Sequence, residues 1–209
     1  MSGAECCRNP PVLSSSSGSG SVIQLAGLKA YVSGSSHSKR AILLVSDGFG
    51  YESPNLRKIA DKVATAGFYV VVPDFLHGEP FDPHNADQKP FPVWLNIHNT
   101  DRGFEDAKLV IDALKRQGTT TFGAAGFCWG AVKVPMAILG AGNDNHSPPE
   151  LLRQFGEILI SNQVKTFVKI YPGVEHGWAV RYQAEDEFAV KSAEEAQQDM
   201  LDWFLAHIS

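Results

Sequence analysis

Apolar residues in this chain fall into short continuous runs separated by segments of helical periodicity. The runs at 41–45 and 68–72 have the length and continuity of strands that are buried on both faces. Between them, apolar residues spaced three and four apart follow Pro54 and predict an amphipathic helix. Strands that alternate with helices predict an α/β protein with a mostly parallel sheet, whose ligand chemistry lies at the carboxyl ends of the strands.

The same pattern predicts the remaining elements. Strands are expected at 22–25, 29–32, 121–125, 134–139 and 165–171, and helices at 101–117, 148–159 and 186–207. The first of these helices should bury one apolar face, made of Phe104, Ala107, Val110, Ile111 and Leu114. The stretch 75–100 is longer than an ordinary connection and contains Pro and His residues, which is typical of an active-site loop or lid.

Composition and charge exclude several classes of protein. The 209 residues are 44% hydrophobic, and the net charge of -5 gives no support to nucleic acid or an anionic membrane as a partner. No apolar run approaches the roughly 20 residues needed to cross a bilayer. We expect a flexible tail over residues 1–21 and one α/β domain over residues 22–209, monomeric by default.

Cysteine usage favours a reducing compartment, and we expect the cytosol. There are three cysteines, of which Cys6 and Cys7 are adjacent, so the chain has no disulfide framework. Adjacent thiols are poor ligands for one tetrahedral ion, and we interpret this pair as part of the tail.

The third cysteine carries the strongest chemical signal. Cys128 lies between Gly126 and Gly130 and directly follows a predicted strand. This is the pattern of a nucleophile elbow, a strained strand-to-helix turn in which the flanking glycines avoid collisions with neighbouring backbone. Asp144 and His176 follow in the order nucleophile, acid, histidine that such sites use.

Other polar residues have competing interpretations. Asp144 could instead cap the helix near residue 148, although Ser147 is better placed for that, and Asp47 could be an ordinary turn residue. The remaining histidines lack metal-ligand spacing and are expected in surface loops; they are His77, His84, His98 and His146. The stretch 140–142 lacks the third glycine of a dinucleotide loop, so we expect no cofactor and no metal.

The segment after the elbow is unusually short. A parallel crossover needs a dozen or more residues, usually a helix, yet only 131–133 separate Gly130 from the next predicted strand. A helix-strand unit of roughly 30 to 40 residues is therefore missing. If the strand 134–139 paired antiparallel beside 121–125, Asp144 would lie far from His176, and we expect Asp144 to be poorly placed.

Four motifs together resemble the dienelactone hydrolase family of α/β-hydrolases, most closely its plant-type members. They are Gly126–Gly130, Val45–Gly50, Val72–Phe75 and Gly173–Trp178. The resemblance runs over residues 20–208. It implies cofactor-independent hydrolysis of a small-molecule ester or lactone.

The resemblance also implies roles for individual residues. The triad would consist of Cys128, His176 and Asp144, with Asp47 as a carboxylate beside the thiol. The backbone amides of Gly48 and Trp129 would form the oxyanion hole. Arg181 lies near an arginine that binds the substrate carboxylate in some members, with a spacing that differs by one residue.

Two alternative functions follow from the same residues. The shortened chain could be a catalytically impaired α/β-hydrolase that acts, if at all, as a binding protein. Some plant relatives carry the label endo-1,3;1,4-β-glucanase, but no pair of carboxylates stands out as the acid and nucleophile that glycoside hydrolysis uses.

Overall fold

A computed structural model describes residues 10–14, 16–127, 136–161 and 164–208. The described residues form two compact units. The N-terminal unit contains residues 10–127 and 208, and the C-terminal unit contains residues 136–207 apart from the gap at 162–163. Cys6 and Cys7 lie outside the described residues. No helix in the described ranges is both long and apolar enough to cross a membrane.

Five strands form the sheet of the N-terminal unit, in the order β1-β2-β4-β3-β5. They are β1 (Ser21–Leu25), β2 (Leu28–Ser33), β3 (Arg40–Val45), β4 (Tyr69–Pro73) and β5 (Thr121–Gly126). β1, β2 and β4 pair antiparallel in succession, while β3 pairs parallel with both β4 and β5. The parallel strands therefore end at one edge, where the sequence places its candidate nucleophile.

Helices cover both faces of the two central strands. α1 (Pro54–Thr65) packs on β4, and α3 (Thr100–Arg116) buries Val110 and Leu114 against strand residues such as Leu43 and Val71. Successive strand residues point to opposite faces, so both faces of β3 and β4 are apolar and buried. The predicted face of α3 is wrong at one position, because Phe104 is 62% exposed. Ala113 contributes to the buried stripe.

The end of the predicted tail is attached to the N-terminal unit. The Ser19 amide donates to Asp61 Oδ2 at 2.8 Å, and the Gly20 amide donates to Tyr31 Oη at 2.7 Å. Tyr31 in turn donates to Asp61 Oδ1 at 2.6 Å, which joins α1 to β2. These bonds hold the chain just before the first strand.

The predicted loop at 75–100 contains helical structure. It includes a short 3₁₀ helix (Pro83–Asn85) and α2 (Phe91–Ile97). The Phe81 amide donates to the Gly48 carbonyl at 2.8 Å, and Trp94 Nε1 donates to the Glu79 carbonyl at 2.9 Å. The segment is therefore bonded both to itself and to the turn that follows β3.

Two parallel strands and two helices form the C-terminal unit. They are β6 (Met136–Asn143), α4 (Pro149–Ser161), β7 (Thr166–Glu175) and α5 (Glu187–His207). A Cβ at Gly140 would meet Leu152 of α4 at 2.3 Å, while Ala141 packs with Ala196 of α5. Since consecutive strand residues point to opposite faces, α4 and α5 cover opposite faces of this sheet.

Pairing of the described strands stops on both sides of the short segment. Within the described ranges, β5 pairs with β3 alone and β6 pairs with β7 alone. The predicted strand 134–139 begins at Met136 in the described residues and continues to Asn143. The stretch 140–142, which we interpreted as unsuited to a dinucleotide, is the end of this strand.

Insertion of a helix-strand segment after Ala131 should stabilise the fold. A strand between β5 and β6 would supply partners to backbone groups on both edges, whose unpaired amides and carbonyls are costly when buried. We expect the thermal midpoint to rise by several degrees, at about 2–4 °C per kcal/mol for a chain of this size. The control is a Gly/Ser insert of equal length, and an equal midpoint for the two inserts would contradict the prediction.

Candidate active site

The register of β6 on β7 brings two predicted site residues together. The strands pair Ala141 with Tyr171, but two residues later Asn143 pairs with Glu175. β7 thus advances four residues while β6 advances two, which is a bulge in β7. The residues that follow this last pair leave the sheet side by side, and they are Asp144 and His176.

Two glycines accommodate this bulge. Gly173 lies within it at φ +76°, in the left-handed region that other residues rarely adopt. On the facing strand, a Cβ at Gly142 would lie 2.9 Å from the Tyr171 carbonyl oxygen and 3.1 Å from Pro172 Cα. Only glycine fits between these backbone atoms without displacing them. Pro172 followed by Gly173 inside a strand pattern was a sequence signal for the bulge.

Asp144 uses both oxygens of its carboxylate. Oδ1 accepts from the amides of His146 at 2.8 Å and Ser147 at 3.0 Å, while Oδ2 lies 2.8 Å from His176 Nδ1. Burial raises the pKa of Asp144, but the Ser147 amide, the His176 ring and the His146 amide together hold that pKa below its ordinary value. Asp144 therefore binds the histidine and also forms a turn with the two amides that follow it, both of which precede the first residue of α4, Pro149.

The bond to Asp144 selects the tautomer of the neutral His176 ring. An ionised carboxylate only accepts hydrogen bonds, so Nδ1 carries the proton and donates it. In the neutral ring the lone pair then belongs to Nε2, the nitrogen that a general base uses in a nucleophile-histidine-acid site. The expectation that the short segment displaces Asp144 from His176 is wrong. β6 pairs parallel with β7, so Asp144 leaves the sheet at the same end as His176.

His146 is a residue that sequence reasoning missed. Its ring meets the His176 ring edge to face, with centroids 5.3 Å apart and planes at 71°. Its amide is one of the two that bind Asp144. His146 lies in a loop, as predicted, but it is half-buried and packs on His176. The only sequence signal was its position two residues after the candidate acid.

Arg181 lies next to the candidate histidine. Its Nη2 donates to the His176 carbonyl at 3.3 Å, and its own amide donates to the Gly177 carbonyl at 2.9 Å. The resemblance implies that Arg181 binds a substrate carboxylate. In the structure the guanidinium contacts the backbone that holds His176.

The carboxyl edge of the N-terminal unit carries the other described candidates. Asp47 is 4% exposed, and its Oδ1 accepts from the Phe49 amide at 3.0 Å, so it does form a turn. The Phe127 amide donates to the Val45 carbonyl at 3.1 Å, so the strand that precedes the elbow ends beside the turn at Asp47. No acceptor among the described residues takes the Gly48 N–H. Cys128 and Trp129 lie outside the described residues.

Aromatic side chains border the Gly48 backbone. A Cβ at Gly48 would lie 3.4 Å from Trp94 Cη2 and 3.7 Å from a ring carbon of Phe91. The Phe91 and Trp94 rings stack at 5.6 Å, and Phe81 meets both rings edge on. The turn after β3 therefore faces an apolar aromatic cluster made of Phe81, Phe91 and Trp94.

The other histidines differ in their surroundings. His84 is exposed, and His77 Nε2 lies 2.7 Å from Asp106 Oδ2. The surface-loop interpretation is wrong for His98, which is 2% exposed and packs on Trp94. Burial lowers the pKa of His98. Within the described ranges, no three His, Cys, Asp or Glu side chains are grouped so as to hold a metal ion.

Comparison with known proteins identifies a similar family. The model of the dienelactone hydrolase family matches residues 28–134 and 131–208. A Rattus norvegicus carboxymethylenebutenolidase homolog is 31% identical over 231 aligned positions, which cover 91% of this chain and 92% of the rat protein. A Zea mays protein named endo-1,3;1,4-beta-D-glucanase is 41% identical over 163 positions. That match covers 64% of this chain and 52% of the maize protein, so the chain spans about half of this relative.

The alignment lengths show that both relatives carry residues that this chain lacks. The rat alignment covers 91% of 209 residues, about 190, which is about 41 fewer than its 231 positions. The maize alignment covers 64%, about 134 residues, which is about 29 fewer than its 163 positions. The two family matches meet at residues 131–134, directly after the elbow. These lengths agree with the missing segment predicted from the sequence.

Solved structures share the fold. A putative dienelactone hydrolase from Klebsiella pneumoniae superposes with a TM-score of 0.67 at 17% identity, and the match covers 85% of this chain and 92% of that protein. At this identity the likeness shows the fold alone. The predicted α/β-hydrolase-like fold, a mostly parallel sheet flanked by helices, is confirmed.

Asp144→Asn should destabilise the fold in a pH-dependent manner. The pKa of Asp144 is lower in the folded state, so its contribution is fully present above the ordinary value near 3.8 and is lost as pH falls through the folded pKa. We expect urea unfolding to show a loss of about 1–3 kcal/mol at pH 7, because the amide cannot replace every bond. The loss should shrink below pH 4, and a constant difference from pH 7 to pH 3 would contradict the prediction.

Gly142→Ala should break the pair between Asp144 and His176. The added Cβ collides with backbone of the bulge, so the register at the end of the sheet must change. We expect the NMR signal of a hydrogen-bonded Nδ1 proton on His176 to disappear. Gly156→Ala is the control, because its Cβ meets only side-chain atoms of Val168 and Thr166. Retention of the signal in Gly142→Ala, or its loss in both variants, would refute the role of the bulge.

Proposed function

Because the chain belongs to the dienelactone hydrolase family, we propose that it hydrolyses a small ester or lactone with Cys128 as its nucleophile. Family membership supports the class of reaction, hydrolysis at an acyl carbon without a cofactor. The elbow sequence around Cys128 supports the nucleophile, since a thiol between two such glycines follows a parallel strand.

One observation carries the proposal, namely the 2.8 Å contact between His176 Nδ1 and Asp144 Oδ2. A buried carboxylate that stays ionised holds the imidazole in one tautomer and stabilises the imidazolium that forms during the reaction. The depressed pKa of Asp144 matches this role. An acid that had to donate a proton would need a raised pKa instead.

The reaction proceeds through a thioester. His176 Nε2 accepts the thiol proton, and the Cys128 sulfur forms a bond to the acyl carbon of the substrate. The amides of Gly48 and Trp129 donate to the resulting oxyanion. The acyl C–O bond then breaks as His176 returns the proton to the departing alkoxide, and water activated by the same histidine hydrolyses the thioester.

The surroundings of Gly48 support a small apolar or conjugated acyl group as the substrate. Gly48 directly follows Asp47 in the turn after β3, at the carboxyl edge of the parallel strands. The aromatic cluster of Phe81, Phe91 and Trp94 provides an apolar border to this turn. The chemistry of a thiol nucleophile favours activated or conjugated acyl groups as well, because a thioester forms readily from such esters.

The chemistry of Asp144 does not support glucanase activity, despite the name of the maize relative. Glycoside hydrolysis needs one carboxylic acid that protonates the leaving oxygen and a second carboxylate on the other side of the bond. Asp144 accepts three hydrogen bonds and keeps a depressed pKa, so it is a poor proton donor.

An impaired enzyme is the competing candidate, and the interrupted strand pairing favours it. In the described ranges, the strand that precedes the elbow and the strand that precedes His176 belong to two separate sheets, with no strand pairing between them. If the thiol and imidazole do not meet, the chain binds an ester without cleaving it. Thioester formation on Cys128 separates the two candidates.

Cys128→Ala should reduce the hydrolysis of a small aryl ester by several orders of magnitude, and His176→Ala should do the same, because the pair acts as one unit. The measurement is kcat/KM with the purified chain. The matched controls are Cys6→Ala and Cys7→Ala, which lie far from the elbow in sequence and should leave the rate unchanged.

Two results would contradict the nucleophile assignment. One is full activity in Cys128→Ala, and the other is an equal loss in the Cys6 or Cys7 variant. Absence of activity in the wild-type chain, together with binding of the ester, would favour the impaired enzyme.

A further inference from the structure

The residues around His176 form a tight turn that closes on an arginine. We call residues 175–181 the histidine loop. Within it the Trp178 amide donates to the Glu175 carbonyl at 3.2 Å, and the amides of Val180 and Arg181 both donate to the Gly177 carbonyl at 3.1 and 2.9 Å. The Arg181 side chain then folds back, and its Nη2 donates to the His176 carbonyl at 3.3 Å.

Gly177 makes room for this guanidinium. Its φ is +85°, which glycine adopts without strain. A Cβ on Gly177 would lie 2.0 Å from Arg181 Nη2, 2.2 Å from Nε and 2.3 Å from Cζ. The planar end of Arg181 therefore occupies the space beside the Gly177 backbone where any other residue would place its side chain.

His176 is consequently held from two sides. Asp144 fixes the ring through Nδ1, and Arg181 fixes the backbone through the carbonyl of the same residue. A general base must be held within a fraction of an ångström of its working position, and neighbouring residues supply that constraint. The ring bond fixes the imidazole, and the Arg181 side chain adds a bond to the His176 carbonyl that the backbone bonds of the loop do not make.

We propose that Arg181 is a positioning residue that braces His176 for proton transfer, and that it does not bind a carboxylate of the substrate. The proposal rests on the proposed function, because a brace for proton transfer requires that His176 acts as the base. The contacts of Arg181 in the structure do not depend on that assumption. Its guanidinium fills the space beside the Gly177 backbone and donates to the histidine backbone, so the brace has a structural readout as well as a kinetic one.

The test uses two substitutions and a matched control in the full chain. Arg181→Met keeps an apolar stem and removes every donor, while Arg181→Lys keeps the charge and loses the planar fork. Arg153→Met is the control, because Arg153 lies on α4 in the same unit with an exposed side chain that pairs with Glu150 at 3.6 Å. The substrates are a neutral aryl ester and an aryl ester that carries a free carboxylate.

If Arg181 positions His176, removal of its guanidinium should lower the turnover of both substrates equally. We expect Arg181→Met to reduce kcat by about 10- to 100-fold for each ester with little change in KM, as for residues that orient a functional ligand. Arg181→Lys should recover only part of this loss, because an ammonium group cannot fill the space that the planar guanidinium occupies beside Gly177. A rise in KM confined to the carboxylate ester, largely rescued by lysine, would overturn the proposal. Unchanged kinetics in Arg181→Met would overturn it as well.

Amide hydrogen exchange tests the brace without activity. We expect the amides of residues 178, 180 and 181 to exchange about tenfold faster or more in Arg181→Met than in wild type and in Arg153→Met, since loss of the side-chain bond loosens the loop. Equal exchange in all three chains would refute the brace. If the wild-type chain hydrolyses neither ester, the proposed function fails, and the exchange result alone then decides whether Arg181 holds the loop.

Discussion

The parallel pairing of β6 with β7, with its bulge in β7, is the constraint on which the candidate site depends. Without the extra advance at Pro172 and Gly173, the strands would end in a register that places Asp144 opposite a residue before His176. With it, the acid and the histidine leave the sheet next to each other. The bond at Nδ1, the turn amides on Asp144 and the arginine on the histidine backbone all follow from that register.

The sequence predicted the elements and the order of the candidate residues, but it did not predict their contacts. Buried strands and amphipathic helices have local patterns, and Cys128 stood in a local motif. The pair of Asp144 and His176 depends on two strands joined through α4, and its register depends on a bulge whose only signal was Pro172-Gly173. Local reasoning placed β6 beside β5, where the connection is too short, and therefore expected Asp144 in the wrong place.

Residues that contact their partners through tertiary structure were the hardest to predict. His146 and His98 have no distinctive spacing, so both were expected in surface loops, although one packs on His176 and the other is buried against Trp94. Arg181 was identified through resemblance alone, with the role of a substrate ligand. Its contact with the backbone at Gly177 depends on a left-handed glycine, and a sequence does not show which glycine adopts that conformation.

The shortened segment raises two separate questions: whether the pair of Asp144 and His176 can form, and whether that pair activates the thiol of Cys128. The acid-histidine pair is built within the C-terminal unit, so it does not require the residues that the rat and maize relatives carry in addition. Activation of the Cys128 thiol by this pair is the second question, and a reaction of the thiol itself answers it.

The most direct measurement is acid-quench mass spectrometry of the chain mixed with an activated aryl ester, in wild type and in Asp144→Asn. Our account predicts an acyl group on the Cys128 peptide that forms rapidly in wild type and much more slowly in the variant. Equal acylation rates in the two chains, or acylation spread over Cys6 and Cys7, would contradict it.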